Sequence, residues 1–227
     1  MLPSLATADH WIFDLDNTLY PPGCNLFYQV DIRMRAFIAE YFDIDEDEAF
    51  KLQKRYFRDY GTTLNGLMKN HDMEPDAFLD YVHDIDVSVI DPNPTMERAL
   101  SKLPGRKLVY TNGSVAHAER IMARLGISHH FDDVFDIVAA EFLPKPDITA
   151  YHALVAKHDI EPTCSVMVED VARNLEPAKA LGMATVLIET DHRWSEDADG
   201  TDYVDHRVED LTEWLDELVK SLGEGAA

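Results

Sequence analysis

The sequence predicts a doubly wound α/β fold, in which helices cover both faces of a parallel sheet, with an all-helical segment inserted after the first strand. Five short apolar runs have the length of buried strands. Helical patterns lie between the later runs, an alternation typical of βαβ units. Residues 21–90 interrupt this alternation with helical spacing alone. The chain has 227 residues, of which 46% are hydrophobic, and is therefore long enough for such a core and insert.

The predicted strands are continuous apolar runs, as expected for strands buried on both faces of a sheet. They cover residues 10–15, 107–112, 133–140, 164–170 and 184–190. The helical patterns around them cover residues 114–125, 147–158, 172–181 and 208–221. Gly126 and Gly182 each follow a leucine at the point where one of these helices is expected to end.

The predicted insert has apolar residues at helical spacing in three stretches. These run from Leu26 to Tyr41, from Ala49 to Tyr60 and from Phe78 to Ile85. The turn-forming residues 91–95 (DPNPT) would return the chain to the sheet. We therefore expect a core domain of residues 1–20 and 91–227 and a helical domain of residues 21–90.

Polar side chains stand at the ends of several predicted strands. Three of these ends carry Asp14 and Asp16, Thr111 and Asn112, and Glu169 and Asp170. In an open parallel sheet, ligands bind at the carboxyl ends of the strands. The sequence therefore predicts that these three ends meet in one crevice.

The residue types in this crevice indicate phosphoryl transfer. Asp14 and Asp16 would place two like charges close together, which is costly unless a positive group lies between them. Carboxylates are hard oxygen donors of the kind that bind Mg²⁺. Thr111 and Asn112 precede a predicted helix N-terminus, which favours anions, and Lys145 adds a positive charge. A carboxylate nucleophile, a metal site and phosphate-binding groups together suit a reaction through an aspartyl-phosphate.

Four motifs occur in this order along the chain: DLDNT (residues 14–18), YTNGS, KP and VEDVARN. In this order they resemble the four motifs of the haloacid dehalogenase (HAD) superfamily. The resemblance covers the whole chain and implies a Rossmann-like core with the helical insert as a small cap. The stretches DLDNTLYPP and YGTTLNGLM further resemble the pyrimidine 5′-nucleotidase branch.

The resemblance implies a role for each residue that matches a motif. Asp14 would be the nucleophile, and Asp16 the general acid for the leaving group and then the base for water. Lys145 would offset charge on Asp14 and on the transferred group. Mg²⁺ would be bound by Asp14, by the backbone carbonyl of Asp16 and by Asp170, with Glu169 binding directly or through water.

Further residues are expected to bind substrate. Thr111, Asn112 and Gly113 would hold the phosphoryl oxygens. Thr18 would steady Asp16, and Asn174 would orient Lys145 or an acid.

Residues 60–67 (YGTTLNGL) are the candidate specificity segment of the insert. Tyr60 and Thr62 are its candidate contacts to substrate, because in similar caps such a loop closes over the active site. The alternative is a plain connection between two helices.

The second acid of the first motif favours phosphate esters as substrates. An alkoxide leaving group gains from a proton, whereas a halide does not need one. We therefore expect a phosphatase, and the resemblance to the pyrimidine 5′-nucleotidase branch implies pyrimidine nucleoside 5′-monophosphates as its substrates. The alternatives are a phosphatase of another small metabolite such as a sugar phosphate or phosphoglycolate, a phosphosugar mutase, and a non-catalytic sensor of a phosphorylated ligand.

Composition bounds the partners and the location. The chain has 43 acidic and 20 basic residues and a net charge of −23, which disfavours binding to nucleic acids and to anionic membranes. Two cysteines are too few for a disulfide scaffold. Residues 1–13 lack the pattern of a signal peptide. We expect a cytoplasmic monomer or homodimer.

Overall fold

The computed structural model describes residues 5–189 and 202–224. Its centre is a six-stranded sheet of order β3-β2-β1-β4-β5-β6, and every neighbouring pair is parallel. The strands are β1 His10–Phe13, β2 Arg106–Tyr110, β3 Asp133–Phe135, β4 Ser165–Glu169, β5 Ala184–Ile188 and β6 His206–Val208.

Helices of the insert and of the core follow one another along the chain. Between β1 and β2 lie α1 Leu26–Phe42, α2 Glu46–Tyr60, α3 Thr63–His71, α4 Pro75–His83 and α5 Pro94–Lys102. The remaining helices are α6 Val115–Leu125, α7 Ile148–His158, α8 Leu175–Leu181 and α9 Leu211–Glu224.

The sheet is buried on both faces, which confirms the predicted doubly wound α/β fold. Alternate side chains of β1 point to opposite sides, so that Trp11 and Phe13 join one apolar cluster and Ile12 joins the other. The first cluster includes residues of α5, α6, α9 and the insert, and the second includes residues of α7 and α8. Helices therefore cover each face, as the continuous apolar strands require.

The third strand is shorter than the predicted run of residues 133–140. It ends at Phe135 because the side chain of Asp136 accepts hydrogen bonds from the backbone N–H groups of Val115 and Ala139. These two bonds start a turn at the residue where the strand would have continued. The apolar residues after Asp136 belong to that turn and not to the sheet.

The predicted helix of residues 208–221 was placed too early, and a sixth strand was missed. Val208 lies in β6 and pairs with Ile188 of β5. The helix begins after Asp210, whose side chain accepts from the backbone N–H of Glu213 at 2.9 Å, as an N-cap residue does. Strand β6 has only three residues, too few for a recognisable apolar run.

The insert contains a helix that apolar spacing did not predict. α3 begins after Thr62, whose hydroxyl accepts from the backbone N–H of Asn65 at 3.1 Å. The predicted polar loop of residues 60–67 is therefore mostly helix, and only Gly61 and Thr62 connect α2 to α3. The division of the chain at residues 20 and 90 stays a prediction.

The register of the sheet aligns the polar strand ends. β1 lies between β2 and β4, and Phe13 pairs with Val109 on one side and with Val168 on the other. The backbone N–H of Asp14 still donates to Val168 O at 2.9 Å. The residues that follow these three strands consequently emerge at the same edge of the sheet.

Two smaller expectations concern cysteines and membranes. Cys24 and Cys164 are free thiols, and Cys164 closes a short 3₁₀ turn before β4 instead of lying in the strand. In the described part of the chain, no helix has the length and apolar character needed to cross a bilayer.

Gly66→Ala should destabilise the protein. Its Cβ would lie 2.4 Å from the Cβ of Tyr56, so α2 and α3 would have to move apart. Overpacking of this kind costs about 1–3 kcal/mol, although alanine favours a helix over glycine by roughly 0.5–1 kcal/mol. Gly223→Ala in α9 is the matched control, because a Cβ there meets nothing within 4 Å. In thermal unfolding, an unchanged or raised Tm for Gly66→Ala would contradict the close packing of α2 on α3.

Candidate active site

A cavity of about 170 Å³ lies between the carboxyl edge of the sheet and the helices of the insert. Its walls differ in chemistry. Charged and polar groups of the core line one side, among them Asp14, Asp16, Thr111, Asn112, Lys145, Glu169 and Asp170. Apolar side chains of the insert line the other side, among them Phe27, Val30, Met34, Phe57, Phe78 and Val82. The structure thus brings the three predicted strand ends together around one cavity.

Lys145 is the buried positive partner of the acids. Its Nζ donates to Asp14 Oδ1 at 2.5 Å, to Glu169 Oε2 at 2.6 Å and to the backbone oxygen of Tyr110 at 3.0 Å. The side chains of Lys145 and Glu169 are each 1% exposed. All three ammonium protons are used, so the orientation of Lys145 is fixed by these partners.

The acids near Lys145 outnumber it. Burial and the neighbouring carboxylate of Glu169 raise the pKa of Asp14 to about 7. Burial and the same neighbour raise the pKa of Asp170 well above its ordinary value. With all three acids ionised, one lysine would face three carboxylates and leave two negative charges uncompensated. Such charges are costly when buried, and a divalent cation or protons must offset them.

The donor set at this point fits Mg²⁺. One carboxylate oxygen each from Asp14, Glu169 and Asp170 lies within 4.8 Å of the others, and all three residues are buried. Mg²⁺ prefers oxygen ligands and binds through a few carboxylates together with waters and substrate phosphate. Asp14 and Asp170 would hold the ion. Glu169 already binds Lys145 through Oε2 and accepts from the N–H of Val171 through Oε1 at 3.2 Å. Both of its oxygens are therefore occupied, which agrees with binding to the ion through water.

Asp16 is held separately from this cluster. Its Oδ1 accepts from the hydroxyl of Tyr20 at 2.6 Å and from Nε2 of His117 at 3.0 Å. Burial favours the neutral acid, but His117 and Tyr20 outweigh it and lower the pKa of Asp16. The pKa values of Asp14 and Asp16 are therefore shifted in opposite directions, as expected for two acids with different tasks.

The predicted phosphate-binding residues lie beside Asp14. Thr111 Oγ1 accepts from the N–H of Gly113 at 2.9 Å, which folds this segment into a tight turn before α6. Asn112 Oδ1 accepts from the N–H of Lys145 at 2.9 Å. This bond ties the lysine loop to the end of β2. Thr111, Asn112 and Gly113 all line the cavity.

The segment between α2 and α3 reaches the core. A Cβ on Gly61 would lie 3.3 Å from Pro144 Cγ and 3.5 Å from the carbonyl oxygen of Lys145. Gly61 and Thr62 line the cavity, so this connection covers the site. Tyr60 does not belong to the lining, and its hydroxyl donates to Asn70 Oδ1 at 3.2 Å within the insert. The expected contact of Tyr60 with substrate stays a prediction, and Thr62 is the member of the pair that lines the cavity.

Two supporting roles differ from expectation. The hydroxyl of Thr18 is buried and has no hydrogen-bond partner among the described residues, so Tyr20 and His117 steady Asp16 instead. Asn174 lines the cavity, and the ammonium protons of Lys145 are bonded to other groups. The alternative, that Asn174 orients an acid, stays a prediction.

Sequence reasoning missed His117, Tyr20 and Gln53. Ser114 caps α6 and places His117 in its first turn, just after the end of β2. That position could have been recognised, because the first turn of a helix after a parallel strand faces the ligand edge. Gln53 of α2 gave no signal, since its contact with the cavity depends on how the insert packs.

Comparison with known proteins agrees with these motifs. The model of the haloacid dehalogenase-like hydrolase family matches residues 9–182. The chain belongs to this family. The expected superfamily is thereby confirmed, whereas the narrower pyrimidine 5′-nucleotidase branch stays a prediction.

Two relatives and one solved structure illustrate the family. A glyceraldehyde 3-phosphate phosphatase of Methanocaldococcus jannaschii is 30% identical over 227 residues, covering 92% of this chain and 97% of that protein. Phosphate metabolism protein 8 of Saccharomyces cerevisiae is 27% identical over 195 residues, covering 78% of this chain and 60% of the yeast protein. CbbY from Rhodobacter sphaeroides, solved with xylulose-(1,5)-bisphosphate, has a TM-score of 0.64 at 16% identity and covers 91% of this chain and 96% of its own. The chain spans about three fifths of the yeast relative, and the likeness to CbbY concerns the fold.

Asp14→Asn should stabilise the metal-free protein at pH 8 more than at pH 5. The raised pKa means that the folded state holds this proton more tightly than the unfolded state, so wild-type stability falls as pH rises towards about 7. Asparagine has no proton to lose, so the variant escapes this loss. The gain in Tm should be a few degrees, at about 2–4 °C per kcal/mol.

The measurement is thermal unfolding in a chelator at both pH values. Adding Mg²⁺ should reduce the difference in Tm between Asp14→Asn and the wild type at pH 8, because a bound cation stabilises the wild type. Asp80→Asn, at an exposed position of α4, is the control and should show no such pH dependence. A less stable Asp14→Asn at pH 8 would contradict the excess of buried negative charge.

Proposed function

We propose that the protein is a Mg²⁺-dependent phosphatase of small phosphate monoesters that works through an aspartyl-phosphate on Asp14. One observation carries the proposal. Asp14 lines the cavity, bonded to a buried lysine and beside two further buried carboxylates, while a separately held acid, Asp16, lines the same cavity. This arrangement supplies a nucleophile, a metal site and a proton carrier to one small volume.

The chemistry follows from the positions of these side chains. The lowered pKa of Asp16 leaves it ionised in the free site, so it first takes up a proton from solvent when the negative charge of the substrate phosphate arrives. Asp14 attacks phosphorus, the bond from phosphorus to the ester oxygen breaks, and Asp16 gives this proton to the departing alkoxide. Asp16 then takes a proton from water, which attacks the aspartyl-phosphate and releases inorganic phosphate and free Asp14. Lys145 stays bonded to Asp14 and offsets its negative charge. Bound Mg²⁺ would supply further charge stabilisation for the phosphoryl oxygens.

The names of two relatives favour a three-carbon phosphate ester as the substrate. Both are named glyceraldehyde 3-phosphate phosphatase, at 30% and 25% identity.

Gln53 adds a chemical preference. Its Nε2 donates to Asp31 Oδ1 at 2.8 Å, which fixes the orientation of the amide. Its Oε1 is buried and accepts no hydrogen bond among the described residues, and Gln53 lines the cavity. An unpaired buried acceptor favours a ligand that brings a donor. A hydroxyl-bearing ester is thereby preferred over phosphoglycolate, whose carboxylate offers only acceptors.

A nucleotide is the second candidate. Phe27, Phe57 and Phe78 line the insert side of the cavity and offer faces on which a pyrimidine could stack. The two relatives named for glyceraldehyde 3-phosphate weigh against this candidate. The expectation of a pyrimidine 5′-nucleotidase therefore stays a proposal, ranked below the triose phosphate.

A substrate panel tests the proposal. Released phosphate should be measured with glyceraldehyde 3-phosphate, dihydroxyacetone phosphate, glycerol 3-phosphate, uridine 5′-monophosphate and 2-phosphoglycolate, with Mg²⁺ and with a chelator. Hydrolysis should need Mg²⁺ and be fastest for the three-carbon hydroxylated esters. Asp14→Asn should lower kcat by roughly 10³-fold or more, as expected when a nucleophile is removed. Retained turnover in a folded Asp14→Asn would exclude the mechanism, and faster hydrolysis of the nucleotide would favour the second candidate.

Gln53→Met should weaken binding of hydroxylated substrates. The methionine has similar length but no amide, so the bond to a substrate hydroxyl is lost, worth about 0.5–1.5 kcal/mol, together with the bond from Nε2 to Asp31. KM for glyceraldehyde 3-phosphate should rise by up to about tenfold. KM for p-nitrophenyl phosphate, which has no hydroxyl, should change little. An equal rise for both compounds would show that the substitution disturbs the cavity in general.

A further inference from the structure

The carboxyl group of Asp16 accepts hydrogen bonds from two donors that belong to different parts of the fold. The hydroxyl of Tyr20, in the segment after β1, and Nε2 of His117, in α6, both bond to Oδ1, at 2.6 Å and 3.0 Å. Both bonds fall on the same oxygen, so Oδ2 is the atom through which a proton can pass to or from a ligand. Asp16 lines the cavity, and its side chain is 17% exposed.

His117 is positioned for this one contact. Its side chain is 1% exposed, and Asp16 is its hydrogen-bond partner, since Nδ1 has none among the described residues. A proton on Nδ1 would be buried without an acceptor, which favours the form with the proton on Nε2. The histidine therefore donates to Asp16.

A second histidine holds His117 in place. The ring of His83 stacks on it with a centroid distance of 4.1 Å and an angle of 14°, and Ser114 Oγ lies 3.1 Å from His83 Nδ1. Arg120 of α6 donates to the backbone oxygens of His83 and Ile85 at 2.7 Å and 2.6 Å. The backbone around His83 is thus hydrogen-bonded to α6, in addition to the contact between the two histidine rings.

We propose that His117 and Tyr20 are positioning residues that fix the orientation of the Asp16 carboxyl group, and that they act on catalysis through leaving-group protonation by Asp16. This inference rests on the proposed function. Asp16 gives a proton to the ester oxygen as the bond to phosphorus breaks, and general acid catalysis depends on hydrogen-bond reach between the two. Without the two donors, the carboxyl group would rotate freely and spend less time aimed at that oxygen.

The alternative is that His117 and Tyr20 only fill the core. Leaving groups of different basicity separate the two ideas. Glyceraldehyde 3-phosphate and uridine 5′-monophosphate release basic alkoxides that need a proton, whereas p-nitrophenyl phosphate releases a stable phenolate that does not. A packing defect would slow hydrolysis of all three compounds. A misaligned Asp16 would slow departure of the leaving group from the alkyl esters only.

The experiment compares kcat/KM for p-nitrophenyl phosphate with kcat/KM for whichever of the two alkyl esters the wild type hydrolyses faster. kcat/KM reports the steps up to the first irreversible one and is not affected by later hydrolysis of the aspartyl-phosphate. His117→Leu should lose about 10- to 100-fold on the alkyl ester, part of the 10²–10⁴ that general acids supply, and less than about threefold on the aryl ester. His117→Gln, which keeps an amide N–H near the place of Nε2, should recover most of the loss.

Tyr20→Phe tests the second donor with almost no change in shape. It should also lower the alkyl ester rate selectively. A double-mutant cycle with Asp16→Asn completes the argument, because a residue that acts through Asp16 should have no further effect once that acid is gone. His10→Leu is the control for the loss of a buried histidine. His10 is 7% exposed at the far end of β1, so this variant should leave the ratio of the two rates unchanged.

The outcomes distinguish the inference from the proposed function. Equal losses on both esters in folded His117→Leu and Tyr20→Phe, or a full additional loss in the Asp16→Asn background, would overturn the positioning role while leaving the phosphatase intact. A wild type that hydrolyses none of the compounds with Mg²⁺ would overturn the proposed function and this inference together.

Discussion

The contact of Lys145 with Asp14 and Glu169 is the interaction on which the rest of the site depends. A lysine with a 1% exposed side chain is tolerable only because all three of its protons are bonded and two of the acceptors are acids. Together with Asp170, these acids carry more negative charge than the single lysine can compensate. A divalent cation or protons must offset this excess, and the cluster offers oxygen ligands that fit Mg²⁺.

The sheet and the insert contribute different kinds of side chain to the walls of the cavity. Central strand β1 places Asp14 between the ends of β2 and β4, so the carboxylates of the cavity and Lys145 come from the core. The insert contributes mainly apolar side chains, Lys54 and the Gly61 connection, which touches the lysine loop. The groups that can do chemistry therefore lie on one wall of the cavity, and a mainly apolar cover lies on the other.

The two aspartates of the first motif have opposite surroundings. Asp14 lies among other carboxylates, which raise its pKa to about 7, whereas Asp16 accepts hydrogen bonds from Tyr20 and His117, which lower its pKa. Their separation in space comes from the turn after β1, where Asn17 adopts a left-handed conformation at φ 60°. One short stretch of chain therefore supplies both the proposed nucleophile and the proposed proton carrier, because the turn directs the two side chains to different neighbours.

The sequence by itself determined the fold class, most strand positions, and the gathering of Asp14, Thr111 and Asp170 at one edge, because polar residues after apolar strands leave a strong local pattern. The role of Lys145 followed mainly from the resemblance to the family. It placed β3 and α9 imprecisely, since the side chains of Asp136 and Asp210 override the apolar spacing. Only the tertiary structure decided which groups support Asp16 and which line the roof of the cavity. His117 and Gln53 gain their roles from contacts between segments far apart in the chain, and no local pattern specifies such contacts.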